Sequence, residues 1–176
     1  DSWGDSRISA SFESLLMSLD HPYTKYLITK NSNEITNKKT GAVLPANKKI
    51  VGIRSGILVG DGQSYGQNQR IAYSGLDRNY LQDAPLYLVK FAEVDFLRAE
   101  GALRGWNMGG SAQFFYERGI RNAYLEEPDY VYEYKDLVDT YMQREQPIAY
   151  VQSDPMGDGA DWQSVTKIGV KWNDAD

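Results

Sequence analysis

The stretch from Pro85 to Tyr124, PLYLVKFAEVDFLRAEGALRGWNMGGSAQFFYERGIRNAY, constrains the fold of this chain more than any other. Val89, Ala92, Phe96, Ala99 and Leu103 recur every three or four residues, which places them on one stripe of a helix with about 3.6 residues per turn. Such a stripe requires a partner surface, so the spacing predicts a buried face. Pro85 suits a first helical turn because it lacks an N–H that would have no partner there, and Asp83 can accept from free amides. Gly105, Asn107 and the pair Gly109-Gly110 predict a stop. Ser111 then suits the N-cap of a second helix running through Ala112, Tyr116, Gly119 and Ala123. A turn this short predicts two antiparallel neighbours, with Gly119 allowing close approach.

These residues carry a family resemblance. KFAEVDFLRAEGALRG followed by FYERGIRNAY resembles the SusD/RagB proteins, nutrient-binding lipoprotein partners of TonB-dependent transporters in the outer membrane of Bacteroidetes-type bacteria. Ala92, Glu93, Leu97, Ala99 and Glu100 match the family's Ala-Glu-x-x-x-Leu-x-x-Ala-Glu helix, and Tyr116, Gly119 and Ile120 match its Tyr-x-x-Gly-Ile phrase. Asp5-Ser6-Arg7-Ile8 is similar to a family Asp-Pro-Arg-hydrophobic segment, with Ser6 in place of the Pro. Ile168 to Trp172 is similar to the extended stretch before a Gln-Lys-Trp helix, and that helix would follow beyond Asp176. The resemblance implies a mainly α, SusD-like helical scaffold with its helix pair at about 86–124, long irregular loops and a few short strands. It also implies that residues 1–176 are one domain and a piece of the C-terminal half of a longer chain. The family's tetratricopeptide-like pairs have a repeat that is not visible in this segment.

Composition narrows the function classes independently. The chain has 176 residues, 41% hydrophobic and 12% aromatic, enough for a core. A net charge of -5 without a basic run gives no footprint for nucleic acid. The absence of cysteine removes disulfides, thiolate nucleophiles and Cys-type zinc sites. No apolar run approaches the ~20 residues that span a bilayer, and DSWGDSRIS is too polar for a signal peptide.

Along the chain, Phe12, Leu15, Leu16 and Leu19 predict a short helix ended by His21-Pro22. Tyr26 to Thr29, Lys49 to Val59 and Ser164 to Trp172 read as extended. Residues 31–41 read as an exposed polar excursion, and 60–69, GDGQSYGQNQ, as a mobile or ligand-facing loop. Leu137, Val138, Tyr141 and Met142 predict a third helix within Asp129 to Glu145, terminated by Pro147.

Each chemical motif has a structural alternative. His21 is the single histidine, and no nucleophile–base set can be built around it, so a loop role is favoured. Asp154, Asp158 and Asp161 could gather oxygens around Ca²⁺, but Met156 and Val165 stand where an EF-hand needs ligands, so the reading is a solvated acidic turn and no metal. Glu93 and Glu100 lie seven apart on one face and could do acid–base work, yet Glu100 can equally pair with Arg104. Gly60, Gly62 and Gly66 fit neither a dinucleotide fingerprint nor a phosphate loop, so no cofactor is expected.

The remaining signal is aromatic, with 13 tyrosines and 4 tryptophans, many outside the helices. Such rings stack on the C–H face of a sugar while amides and charged groups address its hydroxyls. Loops can display rings without emptying a core, so the expected ligand site is Tyr65, Asn68, Arg78, Asn79 and Tyr80, with the two tyrosines as stacking rings. No catalytic residue is assigned. Together with the resemblance, this implies non-catalytic binding of an oligosaccharide or other nutrient at the exterior face of the outer membrane and delivery to a SusC-like TonB-dependent transporter. Contact with the membrane would be only through a lipid anchor absent from this chain. The alternatives are a fragment of a glycan-processing hydrolase, using a carboxylate pair from Glu93, Glu100, Asp154 or Asp158, and a purely structural interaction domain.

Overall fold

The computed structural model describes residues 6–56, 69–82, 85–125 and 135–174, so Tyr65, Asn68 and Asp83 lie outside the described residues. The chain divides into two compact units, one of residues 1–81 and 147–167 and one of residues 82–146 and 168–176. Among the described residues the regular elements are mainly helical, with four strands of two residues each. None of these helices is long and apolar enough to cross a membrane.

The first unit begins with α1 (Ala10–Leu19). Ser9 Oγ accepts from the Phe12 amide at 3.1 Å, and Asp20 closes the other end in the left-handed region, its N–H returning to Leu16 and Met17. His21 sends its own N–H to Leu16 O, and Pro22 opens the short helix α2 (Tyr23–Tyr26). The Tyr26 to Thr29 stretch is therefore no strand: its first residue ends α2, and Ile28 makes a single bridge to Leu76. Three segments are laced by backbone hydrogen bonds from Ile8 to Ser74, Ile53 to Ile8, Ala10 to Ile53 and Ser74 to Val51, all between 2.8 and 3.0 Å. Gly52 permits this approach, since a Cβ there would fall 2.3 Å from Ser9 O. Ile8, Leu16 and Ile28 form one core cluster, and Ile35, Val51, Ala72, Tyr73 and Met156 a second.

The polar segment 31–41 departs from the expected excursion. It carries β1 (Ile35–Thr36), paired antiparallel with β2 (Val43–Leu44) so that Ile35 faces Leu44. Ile35 and Asn31 are fully buried. Asn31 does the work of a small scaffold: Nδ2 donates to Asn33 O and Pro45 O, and Oδ1 accepts from the Lys48 and Lys49 amides. All of its side-chain capacity is used, which is what permits a buried amide. A second hairpin pairs β3 (Val151–Gln152) with β4 (Trp162–Gln163). The strand expected over Ser164 to Trp172 is absent; regular pairing ends at Gln163.

Residues Arg78–Gln82 form α3, with the Asp77 carboxylate accepting from the Asn79 and Tyr80 amides.

The second unit is built on α4 (Phe91–Leu103) and α5 (Ala112–Leu125). The helix begins at Phe91, later than expected, with Lys90 as an N-cap that makes no side-chain cap bond. Only Ala92 and Ala99 of the expected stripe are buried; Val89 and Leu103 are 66% and 67% exposed and Phe96 is 39% exposed. The buried face is instead Ala92, Asp95 and Ala99. A carboxylate can take the central place because Arg118 donates to Asp95 through both Nε and Nη2, with Asn122 adding a third donor. The apolar count hid this position, since a charged residue in the stripe reads as solvent-facing.

The stop behaves as expected. Gly105 takes φ 79°, its N–H reaching Ala102 O while the Trp106 N–H reaches Gly101 O, the two bonds of a Schellman cap. Ser111 Oγ accepts from the Phe114 amide at 3.1 Å and opens α5. Helix α6 (Lys135–Met142) buries Val138 and Met142, within the range expected for the third helix.

Candidate functional site

The expected ligand residues that can be placed lie on α3. Arg78 and Asn79 are exposed, and two adjacent side chains there can offer hydrogen bonds to a ligand. Tyr80 does not join them. Its ring is only 8% exposed and packs on Tyr26, centroids 5.9 Å apart, and Tyr26 in turn meets Tyr23 edge-on at 5.7 Å. This corrects the expectation of a second displayed ring: a helical turn aims residues two apart differently, and the side carrying Tyr80 faces the core. His21 belongs to the same aromatic group, 4.4 Å from Tyr23, with Nδ1 accepting from the Tyr23 amide at 3.2 Å. Burial lowers its pKa to about 4, so it stays neutral at physiological pH and acts as a packed ring.

The acidic turn 154–161 is likewise built into the first unit. Asp154 accepts from the Met156 and Asp158 amides, each at 3.2 Å, and from the buried Tyr73 hydroxyl. Burial and the Asp154 carboxylate push the Tyr73 hydroxyl far above its ordinary pKa, so it remains a donor. Asp158 Oδ2 receives Arg70 Nη2 at 2.7 Å and Lys38 Nζ at 3.4 Å. Asp161 holds the Ser153 hydroxyl at 2.7 Å. The three oxygen-bearing groups thus take protein donors, and among the described residues no group of three or more His, Asp or Glu could hold a metal ion.

A similar fate meets the carboxylates considered for acid–base chemistry. Glu100 pairs with Arg104 one turn on, while Glu93 stands exposed on the first turn of α4. The most unusual carboxylate is one that helical spacing assigned no role. Glu13 is 1% exposed, accepting from the Gly52 amide at 2.7 Å and from the Tyr150 hydroxyl, with Gln152 Nε2 at 3.5 Å. Burial raises its pKa, against the lowering effect of these donors and of Lys49. It ties α1 to β3 and lies among backbone and core groups.

Arginines supply the contacts that local sequence did not announce. Arg7 sends Nε to Ile71 O at 2.9 Å, and Nη2 to the same oxygen, gripping the 3-10 turn Gln69–Ala72. This gives Arg7 a physical role that its composition alone does not state. Gln69 Oε1 accepts from the Thr36 amide at 2.8 Å. Arg54 donates to Gln152 Oε1 at 3.0 Å and to Asp158 O at 3.2 Å.

The family model described as SusD-like, "Susd and RagB outer membrane lipoprotein", matches residues 1–176. No curated protein matches the chain. Among solved structures, a chitin-binding SusD homologue from Flavobacterium johnsoniae is similar at 28% identity and a TM-score of 0.69, the match covering 100% of this chain and 32% of that one. SusD homologues from Bacteroides ovatus (29% identity, TM-score 0.63, 99% of this chain and 33% of that chain) and Bacteroides thetaiotaomicron (27%, 0.66, 99% and 32%) are similar too. The chain therefore spans about a third of the length of the structures it resembles.

Proposed function

The chain belongs to the SusD-like family, the SusD and RagB outer membrane lipoproteins, and from that premise we propose that it is part of a non-catalytic protein that binds an oligosaccharide or other nutrient at the exterior face of the outer membrane and delivers it to a SusC-like TonB-dependent transporter. The observation that carries this reading is how the carboxylates are used. Glu13, Asp154 and Asp158 are bound by buried or half-buried donors, and Glu100 by Arg104. Binding and hand-over need shape, stacking and hydrogen bonds, and no proton transfer. On this reading Tyr65 is the stacking ring, and Asn68, Arg78 and Asn79 supply hydrogen bonds, with Tyr80 supporting α3 from below. The transporter and the lipid anchor are further parts of the same proposal.

The test is calorimetric titration of the protein that carries this chain against a panel of oligosaccharides. Chito-oligosaccharides come first, because one similar structure is of a chitin-binding protein. Saturable heat with at least one glycan is expected, and Tyr65→Ala should weaken it by roughly 1 to 2 kcal/mol if the ring is a stacking anchor. No heat with any glycan would overturn the reading. Appearance of shorter products would replace it with that of a hydrolase.

A further inference from the structure

Helix α4 hides its small residues and shows its large ones. Ala92, Ala99 and the Arg118-bound Asp95 are buried, whereas Phe91, Val94 and Leu97 are 76%, 41% and 61% exposed. These three recur every third residue, and Gly101 continues them one turn past Leu97. The indole of Trp106 lies against that glycine, where a Cβ would fall 3.3 Å from its Cε3, and is itself 62% exposed. Leu86 and Leu88, just before the helix, are 92% and 93% exposed. A single exposed leucine is ordinary, but a file of large apolar side chains along one helix marks a contact surface. A helix that is apolar on more than one side belongs in an interior, with neighbours on each of those sides. On one side α4 has α5. At the edge of the open side Glu93 stands one turn before Leu97, and among the described residues no donor reaches its exposed carboxylate.

We infer that this chain is one part of a longer polypeptide, and that the face of α4 carrying Phe91, Val94 and Leu97 is covered by a helix of that same polypeptide outside residues 1–176, which brings apolar side chains to the file and a Lys or Arg to Glu93. Length argues for this occupant, since these 176 residues match only 32% and 33% of similar solved chains and the larger part of such a chain lies beyond the match. Composition argues for it too. A file of Phe, Val, Leu and Trp has the character of a permanent contact, a core cut open, and lacks the polar mixture of a transient one. Left waiting for a separate partner, such a surface would promote association, whereas a tethered cover is present at all times and at high effective concentration. The inference concerns the scaffold and holds whether or not a glycan is the ligand.

The experiment places single cysteines in the intact protein that carries this chain, whose 176 residues contain none. The monomer is isolated by size exclusion and labelled with a maleimide, and the modified peptide is quantified by mass spectrometry. Leu97→Cys and Val94→Cys should be labelled about ten-fold or more slower in the folded monomer than in urea, because reaction there requires local opening. Lys39→Cys, exposed on the turn between β1 and β2, should react near its urea rate and serves as the control. Labelling of Leu97→Cys in the folded monomer at its urea rate overturns the inference. Protection that appears only when copies associate, or only with the transporter present, overturns it in favour of those occupants. If Leu97→Cys fails to fold, Val94→Cys decides in its place by the same comparison. Photo-cross-linking from p-benzoylphenylalanine in place of Phe91 then identifies the cover. A cross-link in the monomer to a peptide outside residues 1–176, with apolar residues at helical spacing and a Lys or Arg among them, supports the inference, and a cross-link to a peptide within residues 1–176 refutes it.

Discussion

A Cβ built on Gly119 would lie 2.9 Å from Cε1 of Phe96, so α4 and α5 meet at a point with no room for a methyl group. Gly119→Ala gains helix propensity of about 1 kcal/mol and incurs overpacking of about 1 to 3 kcal/mol. Because Phe96 is partly exposed its ring can yield, and the expected net effect is destabilisation by roughly 1 kcal/mol. Urea unfolding measures this directly, and the double change with Phe96→Ala should remove the penalty.

Asn31 is the second place where a single change should be felt. Asn31→Ala leaves the Lys48 and Lys49 amides without their side-chain acceptor and the Asn33 and Pro45 carbonyls without their side-chain donor. An expected loss of roughly 2 to 3 kcal/mol follows from removing four hydrogen bonds and a buried side chain at once, with the exposed segments that carry the partner groups able to turn to water. Chemical denaturation of the variant checks it.

Tyr80→Ala should act on stability and leave intrinsic ligand contacts alone. The ring is buried against Tyr26, so its removal opens a cavity at a cost of about 2 to 4 kcal/mol. Thermal unfolding should show the loss, and affinity measured well below the midpoint should match wild type.

Glu13 gives the first unit a pH dependence of definite sign. Burial raises its pKa above the ordinary carboxylate value of 4.5. The folded state therefore binds this proton more tightly than the unfolded chain, and the site contributes its full stability below the unfolded pKa. That contribution is lost as pH rises through the folded pKa. Lowering the pH from neutrality toward 4.5 should thus increase the stability arising from this site. Glu13→Gln, which can still accept from Gly52 through Oε1 and donate to Tyr150, should flatten the dependence. Urea midpoints for both proteins across that range provide the comparison.

Helices were legible where apolar spacing and end signals agreed. Ser111 and Gly105 are local features, and they placed the α4–α5 turn correctly because capping depends on near neighbours. The buried face of α4 was misread because Asp95 owes its place to Arg118 in another helix, a partner that periodicity cannot reveal. Segment 31–41 was misread for a related reason: its asparagines and lysines look solvated, yet Asn31 is buried by the backbone groups it satisfies. In the candidate site, Arg78 and Asn79 stand exposed on the short helix α3 in place of the expected loop, whereas Tyr80 is held by the long-range stack on Tyr26.

The long-range character of the first unit has a consequence for the order in which this polypeptide acquires structure. Glu13 meets Tyr150, Arg54 meets Gln152 and Tyr73 meets Asp154, across sequence separations of 137, 98 and 81 residues. The α4–α5 hairpin needs only neighbours a few turns away. As the chain emerges during synthesis, the unit that starts first must therefore wait for its partners, while the hairpin made after it can already form.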